Sequence, residues 1–499
     1  MNRFVPDWND AVQKRERNRP GCSSRLRADW LARGQTAESG KNAWRSMCPA
    51  RRRARHARRL RSPLTILLGA LLLSGCATYH PKPLPPAPDL VRLPALMEPA
   101  SRFHLPGLSP HPFNPAKGLD ETTVVTLAVV SNPELKAARL RAGVARAQVL
   151  EAGLLPDPLV SGGFSRSPEH TGYSVGLRED LQALITRGAA KAAARAHARE
   201  VNLEILWQEW QVAERAQELF IRACANGRLL RLLTQIRDLF ANRCRRDQAA
   251  LKQGNAAAGT VATDLAALAE TELQRRQLQL QINQTRHDLN SLLGLEPDEK
   301  LHLIGGNQSR PLSSKQFQAA VAAMPHRRAD LLALQAGYLS QEQRLREAIL
   351  AQFPAMSAGV EQARSAEEGI HTIGFTVNVT LPLFNRNRGQ IALQRATRAV
   401  LYQTYEARLD QAVSQADQIW KATRIMSRQL HDFESCLPPQ QRLAAAAERS
   451  FRQGNLDLAA YVSLKASLLS QQAAAVRLRV SLARAQSALE ILLGLPPAL

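Results

Sequence analysis

Gln253-Gly254-Asn255 recurs 200 residues later as Gln453-Gly454-Asn455. At the same offset Leu289, Leu292-Leu293-Gly294-Leu295 and Pro297 return as Leu489, Leu492-Leu493-Gly494-Leu495 and Pro497. Arg187-Gly188 matches Arg388-Gly389 at offset 201, and Pro156 matches Pro354 at 198. Each anchor is short, but their shared order and near-constant spacing define an internal duplication, which constrains architecture before any element is assigned. Whatever one unit folds into, the other must repeat.

Within each unit the pattern reads helix, strand, strand, long helix, helix. Asn132-Pro133-Glu134 supplies a capping residue, a proline at the first helical position and an early acid, which together open a helix. It runs to about Leu154 and stops at Pro156-Asp157-Pro158. The matching helix spans about Asp330 to Gln352 and stops at Pro354; where proline would be expected at its start stands Ala329. From Thr186 to Gln253 there are 68 residues without proline, rich in alanine and charged helix formers. That is a rod of roughly 100 Å at 1.5 Å per residue. Gly254 to Gly259 breaks it, and a second helix of 36 residues ends at Leu293. In the second unit the rod spans Arg388 to Gln453, with an interruption expected at Pro438-Pro439, and the last helix spans Leu458 to Leu493.

Strands follow each proline stop. From Thr372 to Leu381, Ile373, Phe375, Val377, Val379 and Leu381 alternate with small or polar residues. About ten alternating residues is the length of a tilted strand across an outer membrane. Its partner is Met356–Arg364, and Leu159–Arg166 and Tyr173–Leu181 are the equivalents in the first unit. An ordinary half-buried hairpin would alternate in the same way, so the surrounding helices carry the argument. In the last helix Tyr461, Leu464, Leu468, Gln471, Ala475, Leu478, Leu482, Ala485, Leu489 and Leu492 step strictly by three and four. Such a seam predicts left-handed coiled-coil packing against a neighbour. Helices of such length belong to an elongated bundle rather than a compact domain.

Ahead of the duplication lies an address. Arg51-Arg52-Arg53-Ala54-Arg55 and Arg58, Arg59 and Arg61 precede a ten-residue apolar run, Leu64 to Leu73. The run is too short to span a bilayer as a helix and reads as a secretory signal. It ends in Leu73-Ser74-Gly75-Cys76, and Met47 stands 29 residues before the cysteine. Eleven of the 28 prolines fall between residues 76 and 115, which favours an extended, semi-rigid tether. The chain therefore divides into an over-called start (1–46), a signal (47–75), a tether (76–118), repeat 1 (119–300), a connector (301–317) and repeat 2 (318–499).

Leu73-Ser74-Gly75-Cys76 resembles the bacterial lipobox, which implies cleavage before Cys76 and lipidation of its thiol, palmitate included, with Ala77 favouring sorting to the outer membrane. Together with the tether and the two helix–strand–strand–helix–helix units, it resembles the TolC-like outer-membrane efflux protein family, over about residues 119–499. The resemblance implies a mainly α fold with a membrane β-barrel. Each chain would give four strands to a trimeric 12-stranded barrel continued by a long coiled-coil α-helical barrel. It further implies a homotrimer in outer-membrane lipid, partnered by a periplasmic adaptor protein and a proton-driven inner-membrane pump, with passive passage of substrate, no enzyme activity and no cofactor. Some members narrow the periplasmic mouth with acidic residues after the glycine turn. Asp457 here, with Asp264 in the first unit, is the corresponding candidate constriction; a solvated helix end is the blander reading.

Composition then narrows the classes. The formal charge of +23 divides into +12 on residues 1–75 and +11 on the remaining 424, so half belongs to the address. Nucleic-acid binding would need the excess in the folded body, interleaved with aromatics. Six cysteines without a CxxC pair, scattered histidines without HExxH, and no GxSxG or phosphate loop give no metal, disulfide or catalytic signature. A lipid-anchored periplasmic coiled-coil scaffold without channel activity remains as the alternative, because it would share the seams, though it would have no need of alternating strands.

Overall fold

A computed structural model describes residues 78–94, 118–168, 171–305, 311–365 and 370–495. The signal, the lipobox residues Leu73, Ser74 and Gly75, and Cys76 lie outside them. From Leu90 onward the chain forms one compact unit, so the two repeats are not separate domains. The elements are α1 (Glu121–Ser131), α2 (Pro133–Glu151), β1 (Leu159–Arg166), β2 (Thr171–Asp180), α3 (Leu181–Lys252), α4 (Ala258–Leu293), α5 (Ser314–Ala323), α6 (Ala329–Leu350), β3 (Ala355–Arg364), β4 (His371–Thr380), α7 (Arg388–Arg452) and α8 (Leu458–Leu492). The expected strands and the three helices of each repeat pattern stand within a few residues of their sequence-derived bounds. Helices α1 and α5 are additions.

The repeat anchors are turn chemistry. Gly254 and Gly454 take φ +76 and +78, and Gly294 and Gly494 both take φ +68. These are left-handed conformations in which a Cβ is strained, so glycine marks the same two corners in each repeat. At the head of α2, Asn132 Oδ1 accepts from the Leu135 amide at 2.9 Å, and Pro133 occupies the first turn. The Asn132 amide group also donates to the Leu292 carbonyl at the end of α4, at 3.0 Å. The second repeat solves the same junction differently. Helix α6 starts at Ala329 without proline, and Arg328 donates from Nη1 to the Leu492 carbonyl at the end of α8. Arg328 is 0% exposed. Its charge is met by Asp330, at 2.7 Å from Nε and 3.1 Å from Nη2, while Arg408 approaches the same carboxylate at 2.8 Å. The guanidinium also lies 4.9 Å over the Trp207 ring, which accounts for that tryptophan as a packing partner.

These junctions join shorter helices end to end along the rods. Helix α3 has 72 residues, flanked by α2 with 19 and α4 with 36; α7 has 65, flanked by α6 with 22 and α8 with 35. Helices α6 and α8 also pack on α3, so the order across the molecule is α2 and α4, then α3, then α6 and α8, then α7. Helix α8 thus needs two seams. Leu468, Ala475 and Leu489 of the expected seam are buried and its other members are half-buried. A second three–four series (Val462, Ala466, Leu469, Ala473, Val476) is also buried, and its last four members pack with Leu229, Leu233 and Ile236 of α3. The interruption expected at Pro438-Pro439 is not seen: α7 is continuous through both. The two prolines are exposed, so the carbonyls deprived of their helical donors face water rather than a core.

Where α1 packs on the middle of α3 and the end of α4, burial pushes the Glu121 carboxyl up to about 7, helped by the charges of Glu490 and Asp120. Burial, with Glu121 adding to it, also raises the Cys224 thiol to about 11. Between its ordinary value of 4.5 and about 7, Glu121 binds more proton in the folded than in the unfolded chain. Stability contributed by this site is therefore present below pH 4.5 and is lost as pH rises through 7. Glu121→Gln is expected to flatten the fall in melting temperature between pH 5 and 8, as read by circular dichroism, and to leave the value at pH 5 close to wild type.

Candidate functional site

Both helix-to-strand stops deliver their strands to a single antiparallel sheet of order β1-β2-β3-β4. The central pairing, β2 with β3, joins the repeats, with Tyr173 opposite Arg364 and Asp180 opposite Ser357. Register then decides which side chains share a face. Val160, Leu177, Val360 and Phe375 form one row straight across the four strands, and Gly162, Val175, Gln362 and Ile373 form the next. Phe164, Val377 and Val379 belong to the same face. Phe375 is 84% exposed, Phe164 76% and Ile373 71% in the single chain. A sheet that turns its largest apolar side chains outward has its hydrophobic face uncovered.

The opposite face is small and polar, with Ser161, Gly163, Ser174, Gly176, Gly359 and Thr376 among its members. A Cβ on Gly163 would come within 2.8 Å of Ser174 Oγ, and one on Gly176 within 2.7 Å of Ser161 Oγ. Side chains of neighbouring strands therefore approach closely on this face, which is why glycine stands at these positions. Among the described residues each of β1 and β4 pairs with one strand only, so both outer edges keep unpaired backbone donors and acceptors.

The helical layers end in the same incomplete way. The two outermost layers expose apolar side chains: Leu140 and Val144 on α2 and Leu280 on α4 at one side, Val400, Ile425 and Leu443 on α7 at the other. Between α3, α4 and α8 lies an open groove of about 400 Å³. Its apolar residues include Leu233, Ile236 and Phe240, and hydroxyls of Thr271, Ser463 and Ser467 also line it. No helix among the described residues is long and apolar enough to cross a membrane. Among them, too, no group of three or more His, Cys, Asp or Glu could hold a metal ion.

The two candidate constriction residues are placed differently from one another. Asp264, 2% exposed, sits on α4 against α3, where Arg243 Nη2 approaches Oδ1 at 2.9 Å. Burial pushes its carboxyl above the usual range and a hydrogen bond with Asp247 adds to this, while the Arg243 charge opposes them. Asp457 is exposed at the turn into α8, where its Oδ1 accepts from the Ala460 amide as an N-cap. Lys465, about two turns of helix beyond that cap, is held by Glu448 of α7 at 3.2 Å. The uncovered apolar rows and the second seam of α8 were the functional features that one-strand and one-seam reading missed. The three–four spacing of Val462 to Val476 would have revealed the seam.

No protein-family model matches the chain, and no curated protein matches it. Solved structures do. A structure of CusC, described in connection with transmembrane channel formation, aligns with TM-score 0.62 at 16% identity, over 84% of this chain and 99% of that one. The outer membrane protein VceC from Vibrio cholerae gives 0.60 at 18%, over 75% and 96%. The Campylobacter jejuni CmeC outer membrane channel gives 0.61 at 14%, over 84% and 95%. At such identities the likeness is one of fold: the chain has the fold of TolC-like outer-membrane channels, as its sequence pattern implied. Within that fold the Asp457 cap has a defined cost. Asp457→Ala should destabilise the start of α8 by about 1 kcal/mol and Asp457→Ser by much less, as measured by hydrogen exchange of the Ala460 region.

Proposed function

We propose that three copies of this chain form an outer-membrane channel that carries substrates outward from an inner-membrane pump, across the periplasm and the outer membrane. The reading rests on one observation above others: a four-stranded sheet with an uncovered apolar face, a small and polar opposite face and two open edges. Lipid accepts no unpaired sheet edge, so such a sheet must close with others. Three copies supply twelve strands, within the range of known bacterial barrels. In that closure β4 of one copy meets β1 of the next, and the exposed face of α7 meets the exposed faces of α2 and α4. This is a head-to-tail contact that closes as a ring. The rods then extend from the barrel into the periplasm as a helical tunnel.

The lipid on Cys76 and the proline-rich tether would add an anchor in the membrane. A periplasmic adaptor would seat at the tunnel's far end, where the groove between α3, α4 and α8 offers an apolar floor with hydroxyls to a helical partner. Passage through such a duct is passive and involves no catalytic residue or cofactor; a proton-driven pump would supply the energy. Asp457, exposed at the far turn, is the better placed member of the proposed constriction. Asp264 would contribute from behind, through the charge balance with Arg243.

The sheet faces make the reading testable. Phe375→Arg places a charge on the lipid face near the middle of β4 and should cost about 2–4 kcal/mol, seen as loss of trimers from outer-membrane fractions. Thr376→Lys, one residue away on the other face, should leave trimers intact and change ion selectivity in planar bilayers. Equal tolerance of both substitutions contradicts the barrel. In the same recordings, Asp264→Asn with Asp457→Asn should raise conductance and lower cation preference. Unchanged currents would remove the constriction and leave the channel.

A further inference from the structure

We infer that the outer rim of the proposed barrel carries a binding site for the phosphate groups of an outer-leaflet lipid. The inference rests on the channel reading. It starts from one row of the sheet, in which Phe164, Tyr173, Arg364 and His371 stand side by side on the apolar face. Arg166, opposite Thr171, follows on that face at the hairpin turn. The helices join the sheet at its other end, at Leu159, Asp180, Ala355 and Thr380, so this row lies at the end farthest from the periplasm.

Its height fits a headgroup. Phe375 occupies the middle of β4, and His371 stands four residues closer to the turn. Four residues of strand span about 13 Å, close to half of an apolar band about 25 Å tall. The row therefore falls where hydrocarbon gives way to headgroups, with Ile373, Val175 and Phe164 beside or just below it.

Its chemistry fits an anion. Arg364 is the cross-strand neighbour of both Tyr173 and His371, whose rings meet edge to face with centroids 6.2 Å apart. Nε of Arg364 is shielded from solvent and without an acceptor. Among the described residues neither Arg364 nor the exposed Arg166 has an acidic partner, whereas Arg139, Arg243, Arg328 and Arg408 each have one. A guanidinium framed by rings and left without a carboxylate presents its donors to phosphate oxygens, while the apolar rows below receive acyl chains. The adjoining turns contribute Glu169, Glu367 and Glu368 to the sequence. These could hold a lipid phosphate only through a bridging divalent cation, a route the experiment separates.

The full chain, purified in mild detergent, is to be incubated with bis-phosphorylated lipid A, with its dephosphorylated form and with phosphatidylcholine, and retained lipid counted by native mass spectrometry with and without EDTA. The site predicts at least tenfold preference for the phosphorylated form, persistence in EDTA, and loss of the preference in Arg166→Gln/Arg364→Gln trimers. Equal retention of phosphorylated and dephosphorylated lipid, preference lost in EDTA, or an unaltered double variant overturns it. Insertion into phosphatidylcholine bilayers is recorded in parallel. Failure to insert sinks the channel reading and this site with it, whereas insertion without lipid preference sinks the site alone.

Discussion

A backbone amide in hydrocarbon must find a protein acceptor, and the outer edges of β1 and β4 have none within one chain. Much of the molecule follows from that constraint. The sheet can enter a membrane only by pairing those edges with other copies. In the proposed closure its exposed face, with Phe164, Ile373 and Phe375, would meet lipid, and the serines and glycines of the other face would line the inside. Closing the sheet in that way would oblige the helices below to close too, and the two end layers leave apolar side chains uncovered for it, Leu140, Val144 and Leu280 on α2 and α4 and Val400, Ile425 and Leu443 on α7.

Within a chain, α3 is the spine. It bears the shorter helices of both repeats, so the duplication is expressed as two pairs of stacked helices on shared rods rather than as two domains. The stacking depends on one junction per repeat, where a side chain at the head of α2 or α6 satisfies a last-turn carbonyl of α4 or α8. Asn132 does this as a neutral amide. Arg328 does it as a fully buried cation and therefore requires Asp330 and the ring of Trp207 beside it. The duplicated positions have diverged in chemistry while keeping the same hydrogen-bond acceptor.

Sequence reading located most of this because proline and glycine punctuate it. Pro156, Pro354 and the four left-handed glycines mark corners that no other residue types would mark as sharply. Helix α1 escaped because Val124, Val125, Leu127 and Ala128 are buried all round, and a helix without a polar face has no 3.6-residue period to detect. The interruption expected at Pro438 failed for another reason, since exposure lets water replace the missing donors. The apolar rows of the sheet were legible strand by strand, yet their alignment rests on β2 pairing with β3 across nearly two hundred residues. Of the acidic pair, position along the chain suggested a common role that burial divides: Asp264 faces Arg243 and Asp457 caps a helix. The lipobox, with Cys76, rests on sequence alone.

The claim on which the rest turns is that β1 of one chain pairs with β4 of another in a closed ring. Disulfide trapping tests it directly, with Ser161→Cys on β1 combined in turn with Gly374→Cys, Thr376→Cys or Asn378→Cys on β4, in membranes from cells. At the matching register the account predicts a covalent ladder of one, two and three chains that stops at three. No cross-link at any register, or a ladder that continues past three, would contradict it.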